Sequence, residues 1–321
     1  MGSSLGDWLR RLVGLLLIFG AIVAGLSHAP DRPVQSLVAR WAPAPSDFVE
    51  IRGQLVHLRD QGVRADPLPI VLLHGTSSSL HTWEGWAREL QMQRRVVSLD
   101  LPGAGLTGPF AGEYTPDDYR GDTYARFVLD LLDALKLPRV VLAGNSFGGE
   151  IAWRVATLAP GRVAQLVLVD AAGPPFQPQA VPLGFIAARL PGFSWLGQYL
   201  LPRELVAQGL ASVYGDPGRV TPALVDRYFE LTLREGNRRA LGLRLQQMAL
   251  SEGAERIAQV QQPTLILWGG RDRLIPPSTG EEFARRIAGS RLVVFDELGH
   301  MPQEEDPARS LEPVKAFLGW R

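Results

Sequence analysis

The chain has 321 residues, which is enough for one large domain with a modest insertion. Its 33 basic and 33 acidic side chains balance, which gives no sign of a polyelectrolyte partner and argues against nucleic-acid binding. The chain has no cysteine, no His-Glu-x-x-His motif and no carboxylate cluster, so we expect no disulfide bond, no metal and no cofactor.

The first feature along the chain is an uncharged apolar run at residues 12–26. A helix of that length reaches about 22 Å, short of a hydrocarbon core of roughly 30 Å, and continuing it to residue 29 brings it close to spanning. Three interpretations stay open: an uncleaved membrane anchor, a cleaved signal peptide ending in the small-x-small sequence of residues 27–29, and a buried or interfacial helix. Because Pro30 fits poorly after such a cleavage site, we favour an anchor formed by residues 1–29.

Charged residues beside this run predict its orientation. Arg10 and Arg11 precede it, which favours an N-terminus in the cytoplasm and a folded domain on the periplasmic face of a bacterial inner membrane. Arg32 and Arg40 lie on the far side and weaken that preference. Residues 30–47 contain four prolines, so we interpret them as a juxtamembrane linker with a short amphipathic stretch near the membrane surface.

The folded domain is predicted to begin at residue 48. Residues 48–60 alternate between apolar and polar side chains and turn at Gly53, which is typical of an antiparallel hairpin. Apolar runs at residues 69–73 and 95–99 predict two further strands with a helix between them.

A Gly-x-Gly-x-x-Gly pattern follows at residues 103–108. Pro102 interrupts the approach to it, Pro109 follows at once, and no helix opens where a pyrophosphate would need a helix N-terminus. We therefore expect no NAD or FAD site in this loop.

The central motif is Gly-Asn-Ser-Phe-Gly-Gly at residues 144–149. A β-branched apolar strand precedes it, fed by a helix within residues 117–137, and an apolar-spaced helix follows it. Strand, tight turn and helix form the context of a nucleophile elbow. Gly144 and Gly148 leave room for the close approach of strand and helix, while the strained turn projects the hydroxyl of Ser146.

A serine nucleophile needs a base and an acid later in the chain. Asp272 and His300 each follow an apolar strand-forming run. The order Ser146, Asp272, His300 is that of the hydrolase triad, in which the histidine takes the serine proton and the aspartate orients and stabilises the imidazole. Asp170, which also follows a predicted strand, stays open as an alternative acid.

An acyl-transfer site also needs donors for an oxyanion. The strand at residues 69–73 ends in His74 and Gly75, which is typical of the loop that donates one backbone N–H group. We assign that donor to Thr76 and the second donor to Phe147, directly after the nucleophile. His74 itself is expected to pack and hydrogen-bond beneath the loop.

Strand periodicity disappears over residues 173–255. We interpret this stretch as a helical lid inserted into a core of residues 48–172 and 256–321. Its apolar side chains pack on the core, and two interpretations stay open: packing alone, or a wall that also binds acyl chains. Helices are expected near residues 185–190, 195–201 and 223–233. Three lid arginines are expected to face solvent: Arg238, Arg239 and Arg244.

From about Phe48 to its C-terminus the sequence resembles the α/β-hydrolase-fold serine hydrolases of the esterase and lipase type. This resemblance implies a mostly parallel sheet flanked by helices, an inserted helical lid and hydrolysis by an activated serine. It does not imply a substrate, because the fold hosts many chemistries. Five motifs in order carry it: His74-Gly75, Asp100 to Gly105, Gly144 to Gly149, Trp268 to Asp272, and Leu298-Gly299-His300.

The sequence therefore predicts a membrane-anchored serine esterase that acts through an acyl-enzyme on apolar acyl esters or lipids, such as lysophospholipids. An alternative is a carbon–carbon hydrolase that cleaves vinylogous diketones, because the elbow of that class often contains an asparagine like Asn145. Those enzymes typically place a tryptophan after the histidine, where this chain has Met301. The other alternative is a catalytically silent binding protein, which the intact triad residues disfavour.

Overall fold

The computed structural model describes residues 5–189, 197–249 and 251–320. A single sheet contains β1 (Ser46–Ile51), β2 (Gln54–Gly62), β3 (Ile70–Leu73), β4 (Arg95–Leu99), β5 (Val140–Asn145), β6 (Val163–Val169), β7 (Thr264–Gly269) and β8 (Arg291–Phe295). Its strand order is β1-β2-β4-β3-β5-β6-β7-β8. The pairs β1–β2 and β2–β4 are antiparallel and all later pairs are parallel. The mostly parallel sheet predicted from the sequence is confirmed.

The opening hairpin turns where the sequence predicts. Ile51 pairs with Gln54, which leaves Arg52 and Gly53 as a two-residue connection. Both have positive φ angles, 49° and 79°. Such a turn matches the twist of the two strands, and glycine adopts its second position without strain.

The described residues contain twelve α-helices, some of which cover the two faces of this sheet. They are α1 (Leu5–Leu26), α2 (Gln35–Trp41), α3 (Glu84–Leu90), α4 (Gly121–Ala134), α5 (Phe147–Leu158), α6 (Leu183–Arg189), α7 (Arg203–Val213), α8 (Pro222–Thr232), α9 (Asn237–Gln247), α10 (Pro277–Arg286), α11 (Pro302–Glu305) and α12 (Pro307–Phe317). Side chains of α4, α5 and α10 bury one face, and those of α3 and α12 bury the other.

The sequence of β5, the strand before the elbow, is a continuous apolar run because both of its faces are buried. Val140 and Leu142 lie in the core on one face of the sheet, whereas Val141 and Ala143 lie in the core on the other. Successive side chains of a strand point to opposite faces, so a strand covered on both sides needs apolar residues throughout.

The lid contains α6 to α9. The helices expected near residues 185–190 and 223–233 correspond to α6 and α8. A third helix is expected near residues 195–201, and the first part of that range lies outside the described part of the chain, which omits residues 190–196.

Residues 27–41, which we call the N-terminal arm and which include most of the predicted juxtamembrane linker, lie against the lid. Backbone hydrogen bonds join the two near the start of the arm. The N–H of Ala29 donates to the carbonyl of Tyr199 at 2.8 Å, and the N–H of Glu235 donates to the carbonyl of Arg32 at 2.8 Å.

Side chains reinforce this attachment. Leu37 of α2 is buried beside Leu231 of α8 in a small apolar cluster. The carboxylate of Glu230 accepts from Arg40 Nη1 at 2.5 Å and from Trp41 Nε1 at 2.7 Å. The arm therefore connects α1 to the lid.

The helix α1 is longer than the apolar run alone suggests, because it begins before Arg10 and Arg11. Its 22 residues extend about 33 Å, which exceeds a typical hydrocarbon core. Over Gly6–Leu26 its mean hydropathy is 2.0, and none of that window is buried within the protein. A membrane span and an N-terminal signal sequence both have these properties.

Candidate active site

Ser146 occupies a strained turn between β5 and α5. Its backbone angles are φ 55° and ψ −117°, outside the regions that most residues adopt. A Cβ atom on Gly144 would lie 2.1 Å from the carbonyl oxygen of Gly148, and one on Gly148 would lie 2.2 Å from that of Leu73. Glycine is therefore required at both positions, which explains the Gly-x-Ser-x-Gly spacing.

His300 and Asp272 form a buried pair. His300 Nδ1 lies 2.6 Å from Asp272 Oδ2. The other carboxylate oxygen, Oδ1, accepts from the N–H groups of Leu274 and Ile275 at 2.8 and 2.9 Å. Because the carboxylate is fixed by its own loop, it orients the imidazole and leaves Nε2 available for proton transfer.

Asn145 links the elbow to the loop of the histidine. Its Nδ2 donates to the carbonyl of His300 at 3.0 Å and to that of Val169 at 3.2 Å. The residue is buried directly before Ser146. Its side chain therefore holds the histidine loop against the strand that carries the serine.

Glu305 is a positioning residue that sequence reasoning missed. Its Oε2 accepts from the N–H groups of Gly299 and Gly215 at 2.8 and 3.0 Å, and its Oε1 accepts from that of Asp216 at 2.8 Å. The N–H of His300 in turn donates to the carbonyl of Val213 at 2.7 Å. A buried carboxylate thus joins the histidine loop to the lid, and a glutamate five residues after the histidine is the only sequence signal for it.

His74, in the loop after β3, makes the hydrogen bonds beneath this loop that the sequence predicts. This buried residue donates from Nδ1 to the carbonyl of Gly75 at 2.7 Å and accepts at Nε2 from the N–H of Leu101 at 2.9 Å. Burial lowers the pKa of His74, which agrees with a neutral ring that donates on one side and accepts on the other. The ring supports the loop from beneath.

Asp100 supports the neighbouring loop. Its carboxylate lies 2.7 Å from His57 Nδ1 and accepts from the N–H groups of Leu80 and Leu106, both at 2.7 Å. Burial by itself raises the pKa of Asp100, but the interaction and hydrogen bond with His57 outweigh it and lower that pKa below its usual range. The Gly-rich loop at residues 103–108 is thus organised around a buried carboxylate.

Asp170, the alternative acid, lies close to the pair without replacing Asp272. Its Oδ1 accepts from the N–H of Gly269 at 2.8 Å, and its φ angle is 44°. Burial, followed by the neighbouring Asp272 carboxylate, raises the pKa of Asp170 well above its usual range. We therefore expect an uncharged carboxyl beside the charged one.

The described residues contain one close group of side chains that could ligate a metal, formed by Asp170, Asp272 and His300. Their possible ligand atoms lie within 4.8 Å of one another. His300 Nδ1 already contacts Asp272. A metal would have to break that hydrogen bond in a fully buried space, so the donor set does not fit a resident ion.

Four of the five predicted site residues line a single cavity of about 740 Å³: Thr76, Ser146, Phe147 and His300. Asp272 contacts His300 from outside that lining. The remaining wall is mostly apolar and comes largely from the lid, with core residues, Val23 near the end of α1 and Ser27 at the start of the N-terminal arm completing it. The cavity is large enough for a ligand with a long apolar chain.

The prediction that the lid arginines face solvent is wrong for two of the three. Arg239 is exposed, but Arg238 and Arg244 are buried. Arg244 lies 3.7 Å from the ring centroid of Phe147 and 3.4 Å from the carboxylate of Glu150. Arg238 contacts Asp31 of the N-terminal arm at 2.5 Å. Both guanidinium groups find partners far away in the sequence, which local composition does not reveal.

A family model described as the alpha/beta hydrolase fold matches residues 69–307. A 2-hydroxymuconate semialdehyde hydrolase from a Pseudomonas species is 30% identical, with 86% of this chain and 96% of that protein covered. A 2-hydroxy-6-oxo-2,4-heptadienoate hydrolase from Pseudomonas putida is also 30% identical, with 78% of this chain and 88% of that protein covered.

Two solved structures are similar. A meta-cleavage product hydrolase from Pseudomonas fluorescens has a TM-score of 0.72 at 25% identity and covers 85% of this chain and 97% of its own. A membrane phospholipase A, described as a bacterial virulence factor, has a TM-score of 0.69 at 25% identity and covers 97% of this chain and 98% of its own. The second likeness therefore reaches into the region of α1 and the arm.

Proposed function

Because the chain belongs to the α/β-hydrolase family, we propose that it is a serine ester hydrolase that forms an acyl-enzyme on apolar acyl esters. One observation carries this proposal. A serine on a strained elbow and a histidine paired with a buried aspartate share a large apolar cavity. An activated nucleophile beside room for an acyl chain is what ester hydrolysis requires.

In the proposed first half-reaction, the Ser146 oxygen attacks the ester carbonyl carbon while His300 takes the serine proton. Asp272 stabilises the imidazolium. The backbone N–H groups of Thr76 and Phe147 donate to the oxyanion of the tetrahedral intermediate. Its collapse breaks the ester bond, and the alcohol leaves with the proton from His300.

In the second half-reaction, water attacks the acyl carbonyl and gives a proton to His300. The tetrahedral intermediate then collapses, the carboxylic acid leaves, and the proton returns to the Ser146 oxygen. Each half-reaction uses the same base and the same oxyanion donors, so no further group is needed.

The proposed substrates are membrane lipids or esters with long acyl chains. Each CH₂ group that enters the apolar cavity contributes about 0.8 kcal/mol. Val23 and Ser27 place the end of α1 in the cavity wall, so a bilayer around that helix would lie next to the cavity. The likeness to a membrane phospholipase A over nearly the whole chain supports the same substrate class.

A second candidate is carbon–carbon bond hydrolysis. The relatives at 30% identity carry names of such enzymes, and the elbow contains Asn145. Against it stands Met301, where that class typically has a tryptophan. Activity on a 2-hydroxy-6-oxo-dienoate with none on esters would favour this candidate.

The experiment combines labelling with a substrate panel. We expect a fluorophosphonate probe to modify the wild type at Ser146 and to leave the Ser146→Ala variant unmodified. Para-nitrophenyl esters of increasing chain length, lysophospholipids and a 2-hydroxy-6-oxo-dienoate then rank the substrate classes. Failure of the probe to react would favour a binding protein without catalysis.

We also propose that α1 is an uncleaved anchor in the bacterial inner membrane, with the hydrolase domain in the periplasm. Arg10 and Arg11 before the apolar run support this orientation. The protein should then stay with membranes in high salt or carbonate and be released by detergent, because salt does not screen apolar burial. A mature N-terminus near Pro30 would show that the helix is a cleaved signal.

A further inference from the structure

A second, much smaller cavity lies beside the active site. Its volume is about 30 Å³. Three segments line it: the serine run Ser77 to Ser79, the loop Gly103 to Gly105, and lid residues of α8 and α9. One water needs roughly 10–15 Å³ by this kind of measure, so the cavity has room for one or two waters and for no acyl chain.

Two buried polar atoms in its lining have no hydrogen-bond partner within the described part of the chain. They are Asn237 Oδ1 and Ser77 Oγ. Asn237 Nδ2 donates to the carbonyls of Gly105 and Leu231, both at 2.9 Å. Because these two acceptors fix which side of the amide carries nitrogen, Oδ1 is the acceptor left over.

Buried polar atoms in folded proteins are almost always paired with protein or with ordered water. Here one free acceptor and one free hydroxyl line a cavity of the size of a water. Thr232, which carries a further hydroxyl, lines the same cavity. The lining thus offers the two to four polar partners that a buried water needs.

The small cavity and the large one are neighbours. Five residues line both: Ser77, Ser78, Tyr228, Thr232 and Leu241. The hydroxyls of Ser78 and Tyr228 are hydrogen-bonded to each other at 3.1 Å, and both residues line both cavities, so this contact lies at the boundary. Ser77 and Ser78 directly follow Thr76, the proposed oxyanion donor, and Tyr228 Oη lies 3.6 Å from the sulfur of Met301, next to His300.

We propose that the small cavity is a water site that supplies the nucleophile of the second half-reaction, an inference that rests on the proposed acyl-enzyme mechanism. An acyl chain bound to Ser146 fills part of the large cavity, and the apolar lining of the remaining space disfavours water while it still admits an alcohol with an apolar chain. Water held at Ser77, Thr232 and Asn237 reaches the acyl carbonyl past the Ser78–Tyr228 contact. The water oxygen bonds to the acyl carbon, His300 takes its proton, and the bond to Ser146 breaks.

The test separates attack by water from attack by a larger alcohol. With a long-chain para-nitrophenyl ester and 1-butanol present, the acyl-enzyme partitions between free acid and butyl ester. Butanol is too large for the small cavity and must enter through the large one. The product ratio reports this partition whichever half-reaction limits turnover.

Ala104 lines the small cavity only, so Ala104→Val should fill it. We expect the ratio of acid to butyl ester to fall on the order of tenfold, while the rate of acylation in the presteady-state burst stays unchanged. Ala284, an equally half-buried alanine on α10 outside both cavities, gives the matched control: Ala284→Val should keep the wild-type ratio.

Thr232→Val keeps the shape of the side chain and removes only the hydroxyl. This variant tests the water site if the larger side chain at position 104 prevents folding. We expect a smaller fall in the same ratio, about threefold. An unchanged ratio in folded Ala104→Val or in Thr232→Val would overturn the water site. A wild type that the fluorophosphonate probe does not modify would instead overturn the proposed acyl-enzyme.

Discussion

The two sides of the catalytic cavity are built differently. The elbow side consists of Ser146, Asp272 and His300, which follow three parallel strands. Hydrogen bonds to backbone or side-chain partners fix each of the three. The lid side consists of single helices joined to the N-terminal arm and to the histidine loop. Its apolar clusters are small, whereas those under the elbow extend through the whole sheet.

On the lid side, ion pairs add to the attachment that the small apolar clusters provide. Arg40 and Glu230, Arg238 and Asp31, and Arg227 and Glu304 all join lid helices to other segments. The pair of the half-exposed Arg40 contributes little individually, about 0–1 kcal/mol, whereas breaking a pair with a buried arginine costs more. The comparison teaches that reaction geometry is held by the core, while access and substrate fit depend on a lid of lower local stability.

The largest effect is expected on the elbow side. Ser146→Ala should lower ester turnover by about 10⁶-fold, leaving only the contribution of binding and the oxyanion donors. The unfolding midpoint should change little, because within the described ranges of the chain the hydroxyl has no hydrogen bond that the alanine would lose. Turnover by the purified variant near the wild-type rate would remove Ser146 from the mechanism.

The next effect separates the two buried carboxyls. Asp272→Asn should lower turnover by about 10⁴-fold, because an amide favours the wrong histidine tautomer. Asp170→Asn should cost far less, since in the described residues His300 Nδ1 is hydrogen-bonded to Asp272 and Asp170 accepts from Gly269 instead, and since Asp170 is expected to be uncharged. Rates for both folded variants decide the assignment, and the reverse ranking would make Asp170 the triad acid.

A pair of truncations tests the lid side. A chain that starts at Ser27 keeps the arm, and we expect it to retain activity on short soluble esters. A chain that starts at Pro45 loses Asp31 and Leu37, which leaves the buried Arg238 without its carboxylate, a loss of about 3–5 kcal/mol.

Limited proteolysis and thermal unfolding compare the two truncated proteins. The shorter protein should be cut within the lid and should unfold at a lower temperature than the protein that keeps the arm. Equal protection of the two lids would show that the arm does not support the lid. The single substitution Asp31→Asn should reproduce part of the same loss.

The smallest effect concerns acid stability near the arm. His81 donates from Nε2 to the carbonyl of Trp41 at 2.8 Å and lies 3.0 Å from Ser79 Oγ. Burial lowers its pKa from 6.5 to about 4. Between pH 6.5 and 4 the unfolded chain therefore binds a proton at His81 that the folded protein does not bind. The free energy of unfolding should fall by about 2–3 kcal/mol as the pH is lowered through this range.

Unfolding free energies across that pH window should show a shallower decline in His81→Gln, which lacks the titrating ring. This variant keeps a side chain that can donate to Trp41. An identical decline in wild type and variant would assign the acid sensitivity to other groups.

Local sterics explain why the elbow could be predicted. Gly144 and Gly148 are needed by a strand–turn–helix contact that lies within a few residues, so sequence alone reveals it. The sheet followed from apolar runs for the same reason, and the hairpin turn followed from Gly53. In each case the constraint and the residues that meet it are neighbours in the chain.

Long-range contacts explain what could not be predicted. Arg238 is buried against Asp31, which lies more than two hundred residues earlier in the chain. The N-terminal arm packs on α8, which is equally distant in sequence. Glu305 is surrounded by N–H groups of a lid loop that no local pattern announces. The three catalytic roles and the two oxyanion donors stay predictions that the variants above test.

The junction at Glu305 bears on how this enzyme could be re-engineered or diversify. Its carboxylate spans a lid loop and the residue before His300, so the lid is not an independent module. A chimera that imports only residues 173–255 from a relative would bring a foreign partner to that carboxylate. Successful lid exchange should require residues 299–305 to travel with it, whereas the inner wall of the lid remains free to vary with the substrate.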